Sequence, residues 1–176
     1  MSKLSAVLLP LLVAATTALF ASDADRIHGE DDIRESVFLY QFEHNASGLQ
    51  QHAHSYCLFV TVDEKRVDPS NEFLKRFAHH KPPVRKGSDC HWKKDVAVYD
   101  RLGRLALIFT VSKINWISDT EATVGGGYQE GNVSSSAEGY TVKRQAGKWV
   151  VTPGQAMVIS KNQMRCKPMT RTPASL

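Results

Sequence analysis

Three groups of side chains could do chemistry by type and spacing. Asp89-Cys90-His91 sets a thiol between an acid and an imidazole, the ingredients of an activated cysteine. His52 and His54 stand two residues apart, which on a strand puts both on one side, where Asp89 or His91 could complete a metal site. Trp116, Tyr128, Tyr140 and Trp149 supply large aromatic surfaces of the kind that line ligand cavities or fill cores.

Each group has a plainer reading. Gln50, Gln51 and Ala53 surround the paired histidines, as in a polar loop. Cys90 serves equally well as half of a disulfide. His79-His80 fall at a helix end, where the dipole favours a cationic imidazole. No Gly-x-Ser-x-Gly, phosphate-binding Gly-Lys or His-Glu-x-x-His element occurs. Gly125 to Gly127 lie inside a strand pattern with no helix after them, so they are not a dinucleotide loop. No catalytic residue, metal or cofactor is therefore assigned. The four aromatics are the candidate ligand pocket, with plain core as the alternative.

The N-terminus reads as an export signal. Lys3 gives a positive start, Leu4 to Phe20 run without a charge, and Ala18 and Ala21 are candidate last residues of the signal. The run is at the low limit for spanning roughly 30 Å of hydrocarbon, and no polybasic block follows it. The expected organisation is a signal peptide at 1–21, one domain at 22–152 and a basic, partly disordered tail at 153–176. The expected location is periplasmic or secreted, with no stable membrane anchor after cleavage.

Export makes disulfides possible. Cys57 lies in the apolar run Ser55 to Val60, and Cys90 follows a turn segment; these two are the expected pair. Such a link closes a loop of roughly 34 residues and stabilises by about 3 to 4 kcal/mol in the chain-entropy model. Three free thiols are the alternative, with Cys57 buried as a small apolar residue. Cys166 sits in the polar tail and is expected to stay unpaired.

The 176 residues carry a net charge of +4, unevenly spread. Asp23 to Glu35 hold six acids and two bases, whereas Lys75 to Lys94 hold seven bases and one acid. The tail from Pro153 has four bases and no acid. A basic cluster can bind anions, but Phe77 and Trp92 make too small a stacking platform for nucleic acid, which is not an expected partner. Asn45-Ala46-Ser47 and Asn132-Val133-Ser134 match the glycosylation acceptor pattern.

Positioning these groups falls to a short series of elements. Asp31 to Phe42 reads as a helix, with Ile33, Val37 and Tyr40 at helical spacing. His44 to His54 is a loop, and Ser55 to Val62 a buried strand. A second helix starts with Asp68 as N-cap and Pro69 in the first turn, carries Phe73, Leu74 and Phe77, and ends before Pro82-Pro83. Val84 to Lys94 is expected to be a long basic loop, with a short strand around Val96 and Val98. In the second half, Leu105, Leu107, Phe109 and Val111 alternate on one parity, and Ile114 and Trp116 on the other. Side chains on a strand alternate with a period of two, so the slip predicts a β-bulge at Ser112 or Lys113. Thr120 to Tyr128, Tyr140 to Arg144 and Trp149 to Val151 continue the sheet, with a turn at Ser118-Asp119 and a tight turn at Ala146-Gly147. Met157-Val158-Ile159 is a weak apolar patch in the tail.

The expected fold is α+β, a strongly bent antiparallel sheet of five to six strands on two to three N-terminal helices. That order resembles the nuclear transport factor two-like and cystatin-like superfamily. Asp68-Pro69-Ser70 with Phe73 to Phe77, Ile114 to Val124, Gly127 to Gly131, Tyr140 to Arg144 and Gly147 to Val151 also resemble a group of uncharacterised exported bacterial proteins. The likeness covers about Val37 to Val151. It implies a cone-like sheet around the helices and leaves function open, since the superfamily hosts isomerases, dehydratases and binding or dimerisation modules. Its enzymes use His, Asp or Tyr in the cone through no short motif matched here, so no catalytic residue is carried over. The expected function is a non-catalytic module binding a small ligand or a protein. The alternatives are an isomerase- or dehydratase-type enzyme with its site in the cone, and a homodimer formed through the sheet.

Overall fold

The computed structural model describes residues 23–45, 47–93, 97–131 and 135–152. The expected signal peptide, the tail with Cys166, and the Asn132-Val133-Ser134 acceptor lie outside them. The elements run α1 (Asp23–His44), β1 (Ser55–Val62), β2 (Lys65–Val67), α2 (Asn71–Lys75), β3 (Val84–Lys86), β4 (Cys90–Lys93), β5 (Ala97–Asp100), β6 (Ala106–Ser118), β7 (Glu121–Gln129), β8 (Ser135–Gln145) and β9 (Lys148–Thr152).

α1 is longer than its apolar spacing predicts. Ile33, Val37, Phe38, Gln41 and Phe42 form its buried stripe. On its outer side Arg34 pairs with Glu30 at 2.8 Å and Asp31 at 3.1 Å. Asn45 ends the helix by donating its side-chain amide to the carbonyl of Gln41 at 2.8 Å. α2 and the turn that follows it pack Phe73 and Phe77 on Phe38, with ring centroids 6.0 and 6.3 Å away. Arg76 fixes α2 to α1 by reaching Asp32 and Glu35, both at 2.7 Å. The N-cap is Ser70, not Asp68: Ser70 Oγ accepts from the Phe73 amide at 3.0 Å. The Asp68 carboxylate instead accepts from the Ser88 amide at 2.8 Å and hydroxyl at 2.6 Å, holding the segment after β3.

The sheet has seven strands and is mixed, which corrects the expected antiparallel sheet of five to six. Its order is β2-β1-β6-β7-β8-β9, with β3 also on β1, and it is not closed into a barrel. β1 runs parallel to both β6 and β3, while all other pairings are antiparallel. The hairpin rule failed for β1 because its partner β6 lies far along the chain. A parallel neighbour needs a long crossover, and α2 and the strands after it supply one. Of the two helices, only α1 precedes the first strand. The expected basic loop at Val84 to Lys94 is also corrected: it holds β3, a 3-10 turn at Gly87–Asp89, and β4, which pairs with β5 as a separate ribbon.

The bulge stands where the parity slip put it. Val111 pairs with Gly126 and Ile114 with Val124, so Ser112 and Lys113 together oppose Gly125. Leu107, Phe109, Val111 and Ile114 consequently all face the core under α1, although their numbers change parity. Burying side chains of this size contributes roughly 1.5 to 3 kcal/mol each. Ala146 and Gly147 both have positive φ, 48° and 82°, which suits the two-residue turn from β8 to β9.

Candidate functional site

The two faces of the sheet differ. One is covered by α1 and α2 over Phe38, Phe42, Tyr56, Leu58 and Phe109. On the other face a second, smaller core joins Cys57, Val98, Ala106 and Ile108 beneath the β4–β5 ribbon. Cys57 and Cys90 form a disulfide there with Cα atoms 6.1 Å apart, so the expected pair is present. Beyond the ribbon this face is open and carries a groove of about 540 Å³.

Glycines floor the groove for reasons set by the strands. Gly125, Gly127 and Gly139 lie on its floor beside Thr110 and Ser112. A Cβ on Gly127 would meet the Ser136 carbonyl oxygen at 2.0 Å, an obstacle of backbone that cannot rotate away. A Cβ on Gly125 would meet Ser112 Oγ at 2.4 Å, because the bulge sets Ser112 there. Gly139 has nothing within 4 Å of a Cβ position, so its missing side chain is simply open space.

Arg66 closes one end. It stands on β2, its guanidinium 3.9 Å from the centroid of the Phe59 ring, and donates to Gln129 Oε1 at 3.2 Å. Both partners are neutral. Among the described residues no carboxylate pairs with it, and burial lowers its pKa from the ordinary guanidinium value. A partly desolvated cation without a counter-ion fits an anionic or strongly accepting group.

The aromatics expected to line a pocket lie mainly on the helix side. Trp116 meets Trp149 edge to face at 5.6 Å, with the Trp116 indole N–H buried and, among the described residues, without a hydrogen-bond partner. Tyr140 is buried against Tyr40 at 5.7 Å, and the Gln41 side-chain amide donates to its hydroxyl at 3.4 Å. Burial pushes the Tyr140 hydroxyl far above the usual phenol range. Tyr128 is buried 6.5 Å from Phe109, and of the four it alone also borders the groove.

The other candidates do not converge. Cys90 is bonded, and Asp89 pairs with Arg101 at 2.5 Å, so no thiolate stands beside His91. His52 and His54 are both exposed, and among the described residues no three His, Cys, Asp or Glu side chains form a metal site. Asp100 is a fixture of the fold. Its buried carboxylate accepts from the Leu102 and Arg104 amides and from the Arg104 guanidinium at 2.9 and 3.1 Å. Burial raises its pKa, but those hydrogen bonds outweigh it and leave the carboxyl below its ordinary value.

The sequence placed Gly125 to Gly127 on a strand and Ser112 at a bulge, but it marked neither as part of a site, and Arg66 was not marked at all. The signal for Arg66 was Asp63-Glu64, a two-residue turn with φ of 47° and 62° that folds β2 back on β1. Comparison with protein-family models, with curated proteins and with solved structures finds no match to this chain.

Proposed function

We propose that this protein is an exported, non-catalytic binding module whose open sheet face holds a slender, mainly apolar ligand with an anionic end. The observation that carries the reading is the groove of about 540 Å³, floored by glycine and closed by Arg66, whose charge no described carboxylate pairs. That volume is in the range that takes a small organic molecule. Five strand residues, Gly125 to Gln129, run along it, so a straight ligand of roughly 15 Å would fit the floor. The helix side, where the resemblance to the cone-like superfamily would put a cavity, is occupied here by packed rings.

Binding rather than catalysis is favoured by the lining, in which Glu138 is the one acid and no His, Cys, Asp or Lys stands with the serine hydroxyls. Export is supported by the Cys57–Cys90 disulfide, which persists in oxidising compartments. No described helix is long and apolar enough to cross a membrane.

Calorimetric titration with straight-chain carboxylates of graded length tests the reading. Saturable one-to-one binding is expected, strongest at intermediate length and weakened about tenfold or more by Arg66→Ala, as befits loss of a charge-assisted hydrogen bond. No heat for any carboxylate, or equal affinity for the variant, would refute it.

A further inference from the structure

The Arg66 end of the groove carries more donors than a carboxylate uses. Arg66 donates to Gln129 Oε1 at 3.2 Å. That bond orients the Gln129 side-chain amide, because its oxygen is taken by a cation and its Nε2 is left as a donor. Gln129 stands directly across from Ser135 on β8. Direct cross-strand partners leave the sheet on one face with Cβ atoms about 5 Å apart, so the Ser135 side chain stands beside that amide. Arg66, Gln129 and Ser135 all line the groove. Among the described residues, neither Gln129 Nε2 nor the Ser135 hydroxyl has a hydrogen-bond partner.

The acid of the lining stands apart from this group. Glu138 pairs with Gly126, and Gly126 lies three residues before Gln129 on β7, a separation of roughly 10 Å along the strand. The Arg66 end thus combines one cation with two neutral donors. A carboxylate is planar and presents two oxygens, which a guanidinium fork can occupy alone. A phosphate monoester presents three terminal oxygens in a tetrahedral arrangement and carries between one and two negative charges at neutral pH. Only the phosphate offers Arg66, Gln129 and Ser135 an oxygen each.

Resting on the reading of the groove as a ligand site, we infer that its occupant is a single-chain phosphate monoester. The phosphate is held by Arg66, Gln129 and Ser135, and the chain lies along the glycine floor.

Calorimetric titration with decanoate, decyl phosphate and inorganic phosphate, at one pH and one salt concentration, tests the inference. Decyl phosphate should bind about tenfold or more tightly than decanoate, as added charge-assisted hydrogen bonds require. Inorganic phosphate lacks the chain and should bind at least about tenfold more weakly than decyl phosphate. Gln129→Met and Ser135→Ala should each reduce the preference for decyl phosphate over decanoate about threefold or more. Thermal melts of both variants establish that they fold. Equal affinity for decanoate and decyl phosphate would overturn the inference and leave the groove as a carboxylate site. A preference for phosphate that survives both substitutions would overturn it by placing the head group elsewhere. Inorganic phosphate binding as tightly as decyl phosphate would overturn it by making the ligand a free anion. No heat with either chain ligand would remove the groove as a ligand site, and the inference with it.

Discussion

The Arg66 guanidinium carbon lies over the Phe59 ring, 3.9 Å from its centroid, which ties the short edge strand β2 to β1 and aims a charge along the sheet at Gln129. A cation held on a ring face keeps its position without a carboxylate, and so remains available to a ligand. Arg66→Ala should therefore change the unfolding free energy of the unliganded protein by about 1 kcal/mol or less, the usual worth of such a contact near a surface. Its effect should appear in ligand affinity. Urea unfolding and titration of the same variant separate the two.

The glycine floor makes a graded prediction. Gly127→Ala meets backbone and should destabilise by about 1 to 3 kcal/mol, as overpacking does. Gly125→Ala should cost less, because the Ser112 hydroxyl can rotate aside. Gly139→Val enters open space on a strand and should leave the melting temperature unchanged or raise it, yet fill the groove and abolish carboxylate binding. Thermal melts and titrations across the three variants would check the order.

Much of this arrangement was legible in the sequence, and the reasons differ by element. The bulge was visible because burial enforces alternation, and a parity slip between Val111 and Ile114 has few other causes. Ser55 to Val62 was visible because a strand covered on both faces reads as a nearly continuous apolar run, here Tyr56 to Val60. The parallel pairing of β1 with β6 was hidden, since no local signal reports which distant strand is the neighbour. Asp68 and Ser70 are both good caps, and only the demand of the Ser88 amide decides between them. Arg66 was hidden because a charged residue on a three-residue strand looks like any solvated turn.

Asp100 should dominate the acid limb of stability. Its folded pKa lies below its unfolded value, so its contribution is complete above the unfolded pKa and is lost as pH falls through the lower, folded one. Below about pH 4 the protein should lose stability progressively, and Asp100→Asn should flatten that limb. At neutral pH, Asp100→Ala should cost about 3 kcal/mol, because it strands Arg104 and two backbone amides. Urea midpoints at several pH values measure both effects.

At the alkaline end Tyr140 acts in the opposite direction. Its raised folded pKa means that its stability is fully present below the unfolded value near pH 10 and is lost as pH rises above it. Tyr140→Phe should shift the alkaline unfolding midpoint upward, while giving up the contact with Gln41. A pH-ramped circular dichroism scan of the two proteins would show it.

The disulfide joins β1 to the β4–β5 ribbon, so it spans the smaller core on the open face. Replacing both Cys57 and Cys90 with Ala should lower stability by about 2 to 4 kcal/mol. Hydrogen exchange should rise first at Ala97 to Asp100, with the β6–β7 ladder less affected. Equal loss of protection throughout would show that the ribbon unfolds with the rest.

The open, glycine-floored face is the place where the ligand is expected to sit. The most direct measurement is an amide chemical-shift titration of the isotopically labelled protein with decanoate. The expected result is a contiguous set of moving resonances at Thr110, Ser112, Gly125 to Gln129 and Ser136 to Gly139, with α1 unmoved. Shifts confined to α1 and the core side of the sheet, or none at saturating decanoate, would contradict it.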